Sequence, residues 1–222
     1  MARRFTRLYI AAFFVCLSFT APAGDYFVSH LGSDSNAGTF DKPWRTLKKA
    51  FESMNPNTSV RHNLYVAAGI YEENFTFMSM VNVRGGYNPQ TWDRNTVWHA
   101  TFLRKPDGGP LILKNNMLLD GFIIHGGLSC NGVSPAINDC HITMSLADGI
   151  SCEYGSSPVI TNSSIRQCRG RGINIYSESS PQISTSVIAM NGGDGTAELR
   201  FGDAIAVHDD GDDRSLDTRE NG

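Results

Sequence analysis

Apolar and polar residues alternate in short segments through the second half of the chain, and the alternation recurs at a regular interval. Three segments that begin with glycine read GLSC at 127–130, GISC at 149–152 and GINI at 172–175. Within each segment the apolar residues stand two positions apart, so they share one face of a strand and leave the intervening polar residue on the other face. The pattern predicts short β-strands rather than helices.

A Ser-Pro pair follows each segment and marks a corner of the chain. Its prolines, Pro135, Pro158 and Pro181, lie 23 residues apart. Because proline cannot donate a hydrogen bond to a strand ladder, each belongs at a turn or at the first residue of a strand. A unit of this size repeated at a fixed period is typical of a solenoid, in which each unit buries its apolar face against its neighbours.

Short strands joined at corners predict an all-β fold of the parallel β-helix type, with coils of about 23 residues. Stacking these coils in register predicts two interior rows: Cys130 on Cys152 on Ile175, and Ile142 on Ile165 on Ile188. An upstream coil is shorter, since 118–124 aligns with 136–142 at an interval of 18 residues. Downstream, GDAIAV at 202–207 restores the pattern after an insertion at about 191–201, which we expect to leave the stack as a loop.

A different pattern precedes the coils. The sequence YFVSH at 26–30 predicts a strand, and the following segment predicts a helix with Asp41 as its N-cap and Pro43 in its first turn. An apolar stripe at helical spacing comprises Trp44, Leu47, Phe51 and Met54. Because an open β-helix exposes its interior at each end, we expect this helix to cap the first coil rather than to face a substrate.

The first 23 residues have the pattern of a secretory signal peptide. Arginines precede an apolar run at 8–19, which is too short to span a membrane, and Ala21-Pro22-Ala23 offers a cleavage site. The sequence thus predicts a signal peptide at 1–23, a strand and capping helix at 24–60, a parallel β-helix at 61–207 and an acidic, disordered tail at 208–222. No membrane span is predicted after removal of the signal.

Composition and charge narrow the classes of partner. The chain is 41% hydrophobic, as in ordinary globular proteins, and its net charge of −3 favours neither nucleic acid nor an anionic membrane surface.

Four cysteines follow the signal segment: Cys130, Cys140, Cys152 and Cys168. In an oxidising compartment an even number permits disulfides. Strands about 4.8 Å apart would bring Cys130 and Cys152 within bonding reach, whereas Cys140 and Cys168 could meet only at a corner. The alternative is that the cysteines are buried free thiols that pack as small apolar residues. No spacing indicates a metal site.

Several stretches resemble the first coils of a known superfamily. They are GSDSNAGTFDKPWRTLKKA at 32–50, LYVAAGIYEENFTF at 64–77, VRGGYNPQTWDRN at 83–95 and TFL at 101–103. Over about 26–207 the chain resembles bacterial secreted proteins of the right-handed parallel β-helix, or pectate-lyase-like, superfamily. The resemblance implies that fold and a secreted, extracellular, periplasmic or cell-surface location. It implies less about activity, because the fold hosts lyases, hydrolases, adhesins and inert surface proteins.

The outward positions of the coils supply candidate ligand-binding residues. The residue after each inward cysteine or isoleucine is Asn131, Glu153, Tyr176 and His208 on successive coils. These side chains could hydrogen-bond sugar hydroxyls and stack on a sugar ring, or they could form a solvated outer face. A second row contains Asp148 beside Arg171, which we interpret as a cross-strand ion pair.

Neither row has the residues expected of an enzyme. Relatives that cleave acidic polysaccharides by β-elimination hold calcium with clustered carboxylates and use Arg or Lys as base. Glu72 and Glu73 are adjacent, so they point to opposite sides of a strand and cannot form a glycosidase pair. The Asp-rich run at 209–213 lacks the spacing of a calcium loop, so we expect no cofactor beyond weak calcium binding.

The sequence therefore predicts a noncatalytic secreted or cell-surface protein that binds polysaccharide or another surface component. The alternative is a polysaccharide lyase or glycoside hydrolase, or a truncated remnant of one. After Val207 the repeat does not recur. A truncated reading frame, or self-association through the uncapped last coil, would account for that ending.

Overall fold

The structure is a computed structural model that describes residues 24–54, 60–192 and the strand at 205–207. The predicted signal peptide, the acidic tail with His208, and nearly all of the predicted insertion lie outside the described residues.

The described chain forms one short helix and a series of short strands. They are β1 (Asp25–Val28), α1 (Leu47–Ser53), β2 (His62–Ala67), β3 (Gly69–Glu72), β4 (Val81–Tyr87), β5 (Thr101–Arg104), β6 (Leu111–Ile112), β7 (Leu118–Asp120), β8 (Ile123–His125), β9 (Leu128–Asn131), β10 (Ala136–Asn138), β11 (His141–Thr143), β12 (Ile150–Glu153), β13 (Val159–Thr161), β14 (Ser164–Arg166), β15 (Ile173–Ile175), β16 (Gln182–Ser184), β17 (Val187–Ala189) and β18 (Ile205–Val207).

These strands form three parallel sheets that run the length of the stack. The first sheet has the order β1-β2-β4-β7-β10-β13-β16, the second β17-β14-β11-β8-β5-β3, and the third β18-β15-β12-β9-β6. Each regular coil gives one strand to each sheet, so every strand pairs with the equivalent strand of the neighbouring coil. The predicted all-β, parallel β-helix architecture is confirmed.

Both predicted interior rows are present in the predicted register. Cys130 pairs with Cys152 and Cys152 with Ile175, while Ile165 pairs with Ile142 on one side and Ile188 on the other. All of these side chains are buried except Ile188, which is partly buried against the core. Equivalent apolar residues of successive coils therefore lie next to one another in the core.

The 18-residue coil is short at two of its corners. Only residues 126 and 127 join β8 to β9, whereas six residues join β11 to β12 in the next coil, and the loop from β9 to β10 is one residue shorter than that from β12 to β13. The corner after the first sheet keeps its length, and there Asp139, Asn162 and Thr185 have positive φ of 49°, 50° and 50°. Corner length thus varies without loss of strand register.

Serine side chains bind neighbouring coils to one another at the same corner. Ser163 Oγ accepts the backbone N–H of Cys140 at 3.2 Å and donates to the carbonyl of Thr161 at 2.7 Å. One coil later, Ser186 Oγ accepts the N–H of Ser163 at 3.1 Å. These bonds satisfy backbone groups that the sheet ladders leave unpaired at the turn.

The N-terminal helix caps the stack but begins later than predicted. Its N-cap is Thr46, whose side chain accepts the N–H of Lys49, so the prediction of Asp41 as N-cap was wrong. The reason is Asp34, whose carboxylate accepts the N–H groups of Arg45 and Thr46 and holds the chain extended until Thr46. Within the helix and directly after it, buried side chains join the core of the first coils: Leu47, Ala50 and Met54.

Candidate functional site

Three of the four predicted ligand-binding residues lie in one row at the carboxyl ends of the third sheet. Asn131 on β9 pairs directly with Glu153 on β12. Tyr176 follows β15, where its backbone N–H donates to the carbonyl of Cys152 at 2.8 Å. Asn131 is exposed, and Glu153 and Tyr176 are partly exposed. The ligand-binding role of this row stays a prediction, and its fourth member, His208, lies outside the described residues.

A hydrogen-bonded cluster links this row to the preceding loop through Asn174, a residue that the sequence interpretation missed. Asn174 Nδ2 lies 2.6 Å from Asp148 Oδ2 and 2.7 Å from the hydroxyl oxygen of Tyr176. Its strand position matches Ser151 on the preceding coil, on the face opposite to the interior isoleucines. The sequence signal that could have identified this residue is the asparagine itself, because the equivalent positions of the two preceding coils are Ser129 and Ser151.

The amide oxygen of Asn174 has no hydrogen-bond partner among the described residues, although the side chain is only 2% exposed. An amide oxygen has two acceptor lone pairs, and burying it without a hydrogen bond is unfavourable. A ligand hydroxyl would satisfy this oxygen if the groups that cover it moved aside. The cluster of Asp148, Asn174 and Tyr176, with the neighbouring Glu153, is therefore the candidate site and is called the third-sheet cluster below.

The predicted ion pair between Asp148 and Arg171 is not found in the described part of the chain. Asp148 Oδ1 instead accepts the backbone N–H of Arg171 at 2.8 Å, while its other oxygen accepts from Asn174. The carboxylate turns toward the backbone of the next coil because that N–H lies at the corner and needs an acceptor. Asp148 therefore fixes the loop and orients Asn174.

Glu72 and Glu73 have separate contacts. Glu72 forms an ion pair with Arg104 on the neighbouring strand. Glu73 accepts the backbone N–H groups of Leu47 and Lys48 at the start of the helix, at 3.2 and 3.0 Å. In the described ranges no group of three or more His, Cys, Asp or Glu side chains is placed to hold a metal ion.

The four cysteines are buried free thiols in the structure. A hydrogen bond with Cys152, together with burial, raises the pKa of the Cys130 thiol, and burial raises the pKa of Cys140 to about 12. Cys130 and Cys152 occupy directly paired positions. A disulfide between them stays a prediction.

The described helix is far too short and polar to cross a membrane, and no other candidate span occurs in residues 24–54 and 60–192.

Comparison with known proteins supports the fold. A family model described as "Right handed beta helix region" matches residues 79–212. A structure titled "Rhamnogalacturonan lyase" is similar with a TM-score of 0.52 and 16% identity, over 84% of this chain and 62% of that one. A structure titled "The complex structure of XylC with xylose" has a TM-score of 0.46 and 11% identity, over 82% of this chain and 56% of that one. No curated protein matches the chain. The chain thus spans less than two thirds of either structure, and its likeness to the first, at 16% identity, is one of fold.

Proposed function

Because the chain belongs to the right-handed β-helix family, we propose that it is a secreted or cell-surface protein that binds carbohydrate, or another surface component, without catalysing a reaction. The proposed binding surface is the third-sheet cluster. The observation that carries the proposal is the unpartnered amide oxygen of Asn174 beside the hydroxyl of Tyr176.

The third-sheet cluster has the chemistry to recognise sugar hydroxyl groups. A hydroxyl both donates and accepts a hydrogen bond, and it could donate to Asn174 Oδ1 once the groups that cover this oxygen move aside. Glu153 and Asn131 continue the polar row on the two preceding coils, in direct register with each other. A row of amide and carboxylate groups spaced about 4.8 Å apart offers successive contacts to an extended polymer.

The hydrogen bonds of the Asp148 carboxylate support a noncatalytic role. Its two oxygens accept hydrogen bonds from the Arg171 backbone and from Asn174. A general base must have an oxygen within reach of the proton that it removes. Asp148 is occupied in holding the loop, which favours binding over proton abstraction.

Export is proposed from the sequence pattern at residues 1–23, where basic residues precede an apolar run and a small-residue site. A protein delivered outside the cytoplasm would encounter cell-wall or extracellular polysaccharide, the partner class proposed here.

The test combines binding and product assays on the purified chain. Retention in gels that contain xylan, rhamnogalacturonan or polygalacturonate would be measured for the wild type and for Tyr176→Phe. The variant removes one hydroxyl, so we expect retention to weaken about two- to tenfold. Tyr154→Phe is the matched control, because Tyr154 lies one coil away and is 67% exposed.

The alternative function is a polysaccharide lyase or glycoside hydrolase. Incubation with the same polymers, with and without calcium, would be followed by absorbance of unsaturated products and by reducing ends. Release of either product would overturn the noncatalytic assignment, and equal retention of wild type and Tyr176→Phe would remove the third-sheet cluster as the binding surface.

A further inference from the structure

Five aromatic side chains form a continuous cluster on the outer face of the first sheet: Phe27, Phe40, Tyr65, Tyr87 and Trp92. The rings of Phe27 and Tyr65 are stacked with centroids 5.0 Å apart, and Trp92 meets Phe27 edge-on, also at 5.0 Å. Phe40 packs against Phe27 at 5.6 Å, and Tyr87 against Tyr65 at 5.4 Å. We call this cluster the aromatic platform.

Strand register places the aromatic platform outside the core. Phe27 on β1 pairs directly with Tyr65 on β2, and their neighbours Val28 and Leu64 point inward and are fully buried. Trp92 comes from the loop after β4 and adopts a positive φ of 60°, which turns the loop back over the sheet. The rings of the platform remain accessible: Phe40 is 51% exposed and the other four are partly exposed.

A row of polar side chains continues from the platform along the same face. Register takes the row from Tyr65 to Arg84, Asp120, Asn138 and Thr161 on successive strands. Asn138 Nδ2 donates to Asp120 Oδ1 at 2.9 Å, and Thr161 Oγ1 donates to Asn138 Oδ1 at 2.8 Å. Neighbouring members lie about one strand spacing, roughly 4.8 Å, apart.

The charges on this face largely offset one another. Arg94 Nη2 lies 2.9 Å from Asp120 Oδ1, and Arg84 Nε lies 3.7 Å from the other oxygen. The carboxylate of Asp25 lies close enough to Tyr65 to contribute to its raised pKa, of which burial is the main cause. Two cations thus face two anions, and a charged ligand would gain little from such a surface.

We propose that the aromatic platform and its polar row form a second binding site, for a neutral polysaccharide that lies along the axis of the stack. The apolar faces of pyranose rings would pack on the platform, while their hydroxyl groups would bond to the amide and hydroxyl groups of the row. Burial also raises the pKa of Tyr87, so the hydroxyls of Tyr65 and Tyr87 stay protonated at neutral pH and can donate. This site is on a different sheet from the third-sheet cluster and does not depend on it.

The primary test uses xylan and hydroxyethylcellulose as neutral probes in affinity gels, with polygalacturonate as the charged comparison. We expect Trp92→Ala to weaken retention by both neutral polymers at least about tenfold, because the ring that closes the platform is lost. Trp98→Ala is the matched control: Trp98 belongs to the same loop and is 79% exposed, but it makes no ring contact with the platform. Its retention should equal that of the wild type.

Removal of Trp92 could also disturb the loop, so a second variant and a direct probe are included. Phe40→Ala removes a half-exposed ring at the rim and should weaken retention severalfold with an unchanged melting temperature. The direct probe is tryptophan fluorescence in a Trp98→Phe background. Two tryptophans then remain, the buried Trp44 and the partly exposed Trp92. Binding of a neutral polymer should shift the emission of Trp92 and reduce its quenching by acrylamide.

The outcomes separate this site from the third-sheet cluster. Loss of neutral-polymer retention in Trp92→Ala and Phe40→Ala, with unchanged retention in Trp98→Ala, supports the platform. Full retention in both platform variants overturns the proposal, whatever Tyr176→Phe does. A concentration-dependent dimer that is lost in Trp92→Ala would also overturn it, because the platform would then be covered by a second copy of the chain.

Discussion

Gly38 lies directly against the indole ring of Trp44, in the loop that leads to the capping helix. A β-carbon on Gly38 would lie 2.5 Å from Cε2 of that ring, and the glycine has a φ of +76°. We expect Gly38→Ala to lower the free energy of unfolding by about 1–3 kcal/mol through the clash and by about 1 kcal/mol more through the backbone conformation, measured by urea denaturation.

Gly155→Ala separates the effect of the clash from that of the backbone conformation. Gly155 has nearly the same φ, +71°, but nothing lies within 4 Å of its β-carbon position. This variant should lose only the backbone contribution of about 1 kcal/mol. Equal losses in both variants would show that the indole moves aside at little cost.

Ser163→Ala should weaken the stack from within. The substitution leaves the buried N–H of Cys140 without its acceptor, so we expect unfolding to become easier by about 1–3 kcal/mol. Ser186→Ala is the equivalent change one coil later, where the hydroxyl that accepts the Ser163 N–H is more exposed. It should cost less, because water can replace the lost acceptor. A larger loss at Ser186 would contradict this account.

Glu73 makes stability depend on pH. Burial, the largest cause, raises the pKa of Glu73 above its ordinary value of 4.5, in spite of the hydrogen bonds from Lys48 and Leu47. The folded state therefore binds the proton more tightly than the unfolded state. The contribution of Glu73 is fully present below pH 4.5 and declines as the pH rises through the raised value.

Denaturation of wild type and Glu73→Gln between pH 4 and 7 should show this effect. The wild type's advantage in free energy of unfolding should shrink toward pH 7. Glu72→Gln, at the neighbouring exposed carboxylate that pairs with Arg104, controls for the loss of one negative charge. An advantage that grows with pH would mean that the helix N–H groups outweigh burial.

The buried thiols should resist alkylation. Thiolate is the reactive form of cysteine, and burial raises the pKa of Cys140 to about 12 and also raises that of Cys168. Native protein at pH 8 should react with iodoacetamide at least about 100-fold more slowly than unfolded protein. Intact mass tests the open alternative: a non-reduced protein lighter by two hydrogen atoms would contain one disulfide, and the mass of the cross-linked peptides after digestion would show whether it joins Cys130 and Cys152.

The regular coils could be predicted from the sequence because equivalent residues recur at one period. The spacing of Ile142, Ile165 and Ile188 alone predicts that they share one row, and the parallel pairing of their strands places them side by side. Nothing comparable marks the start of the helix. Thr46 became the N-cap because Asp34, twelve residues upstream, holds its N–H, and such a tether has no periodic signature.

The candidate sites were harder to predict for a related reason. Asn174 was visible in the sequence as a polar residue, but its contacts with Asp148 and Tyr176 and its buried, unpartnered oxygen come from the fold. The aromatic platform assembles Phe27, Phe40 and Trp92 with residues of the irregular first coils, where no repeat aligns them.

The tolerance of the corners to changes in length has a consequence for how this molecule can grow. Residues added at a corner project outward, as the difference between the 18-residue and 23-residue coils illustrates, whereas one residue added inside a strand would turn its apolar set to solvent. Duplication of a complete winding would therefore lengthen the rod by about 4.8 Å and extend each exterior sheet by one strand. Such a change would lengthen the outer faces that could contact an extended polymer, while the apolar rows of the core would keep the same side-chain packing.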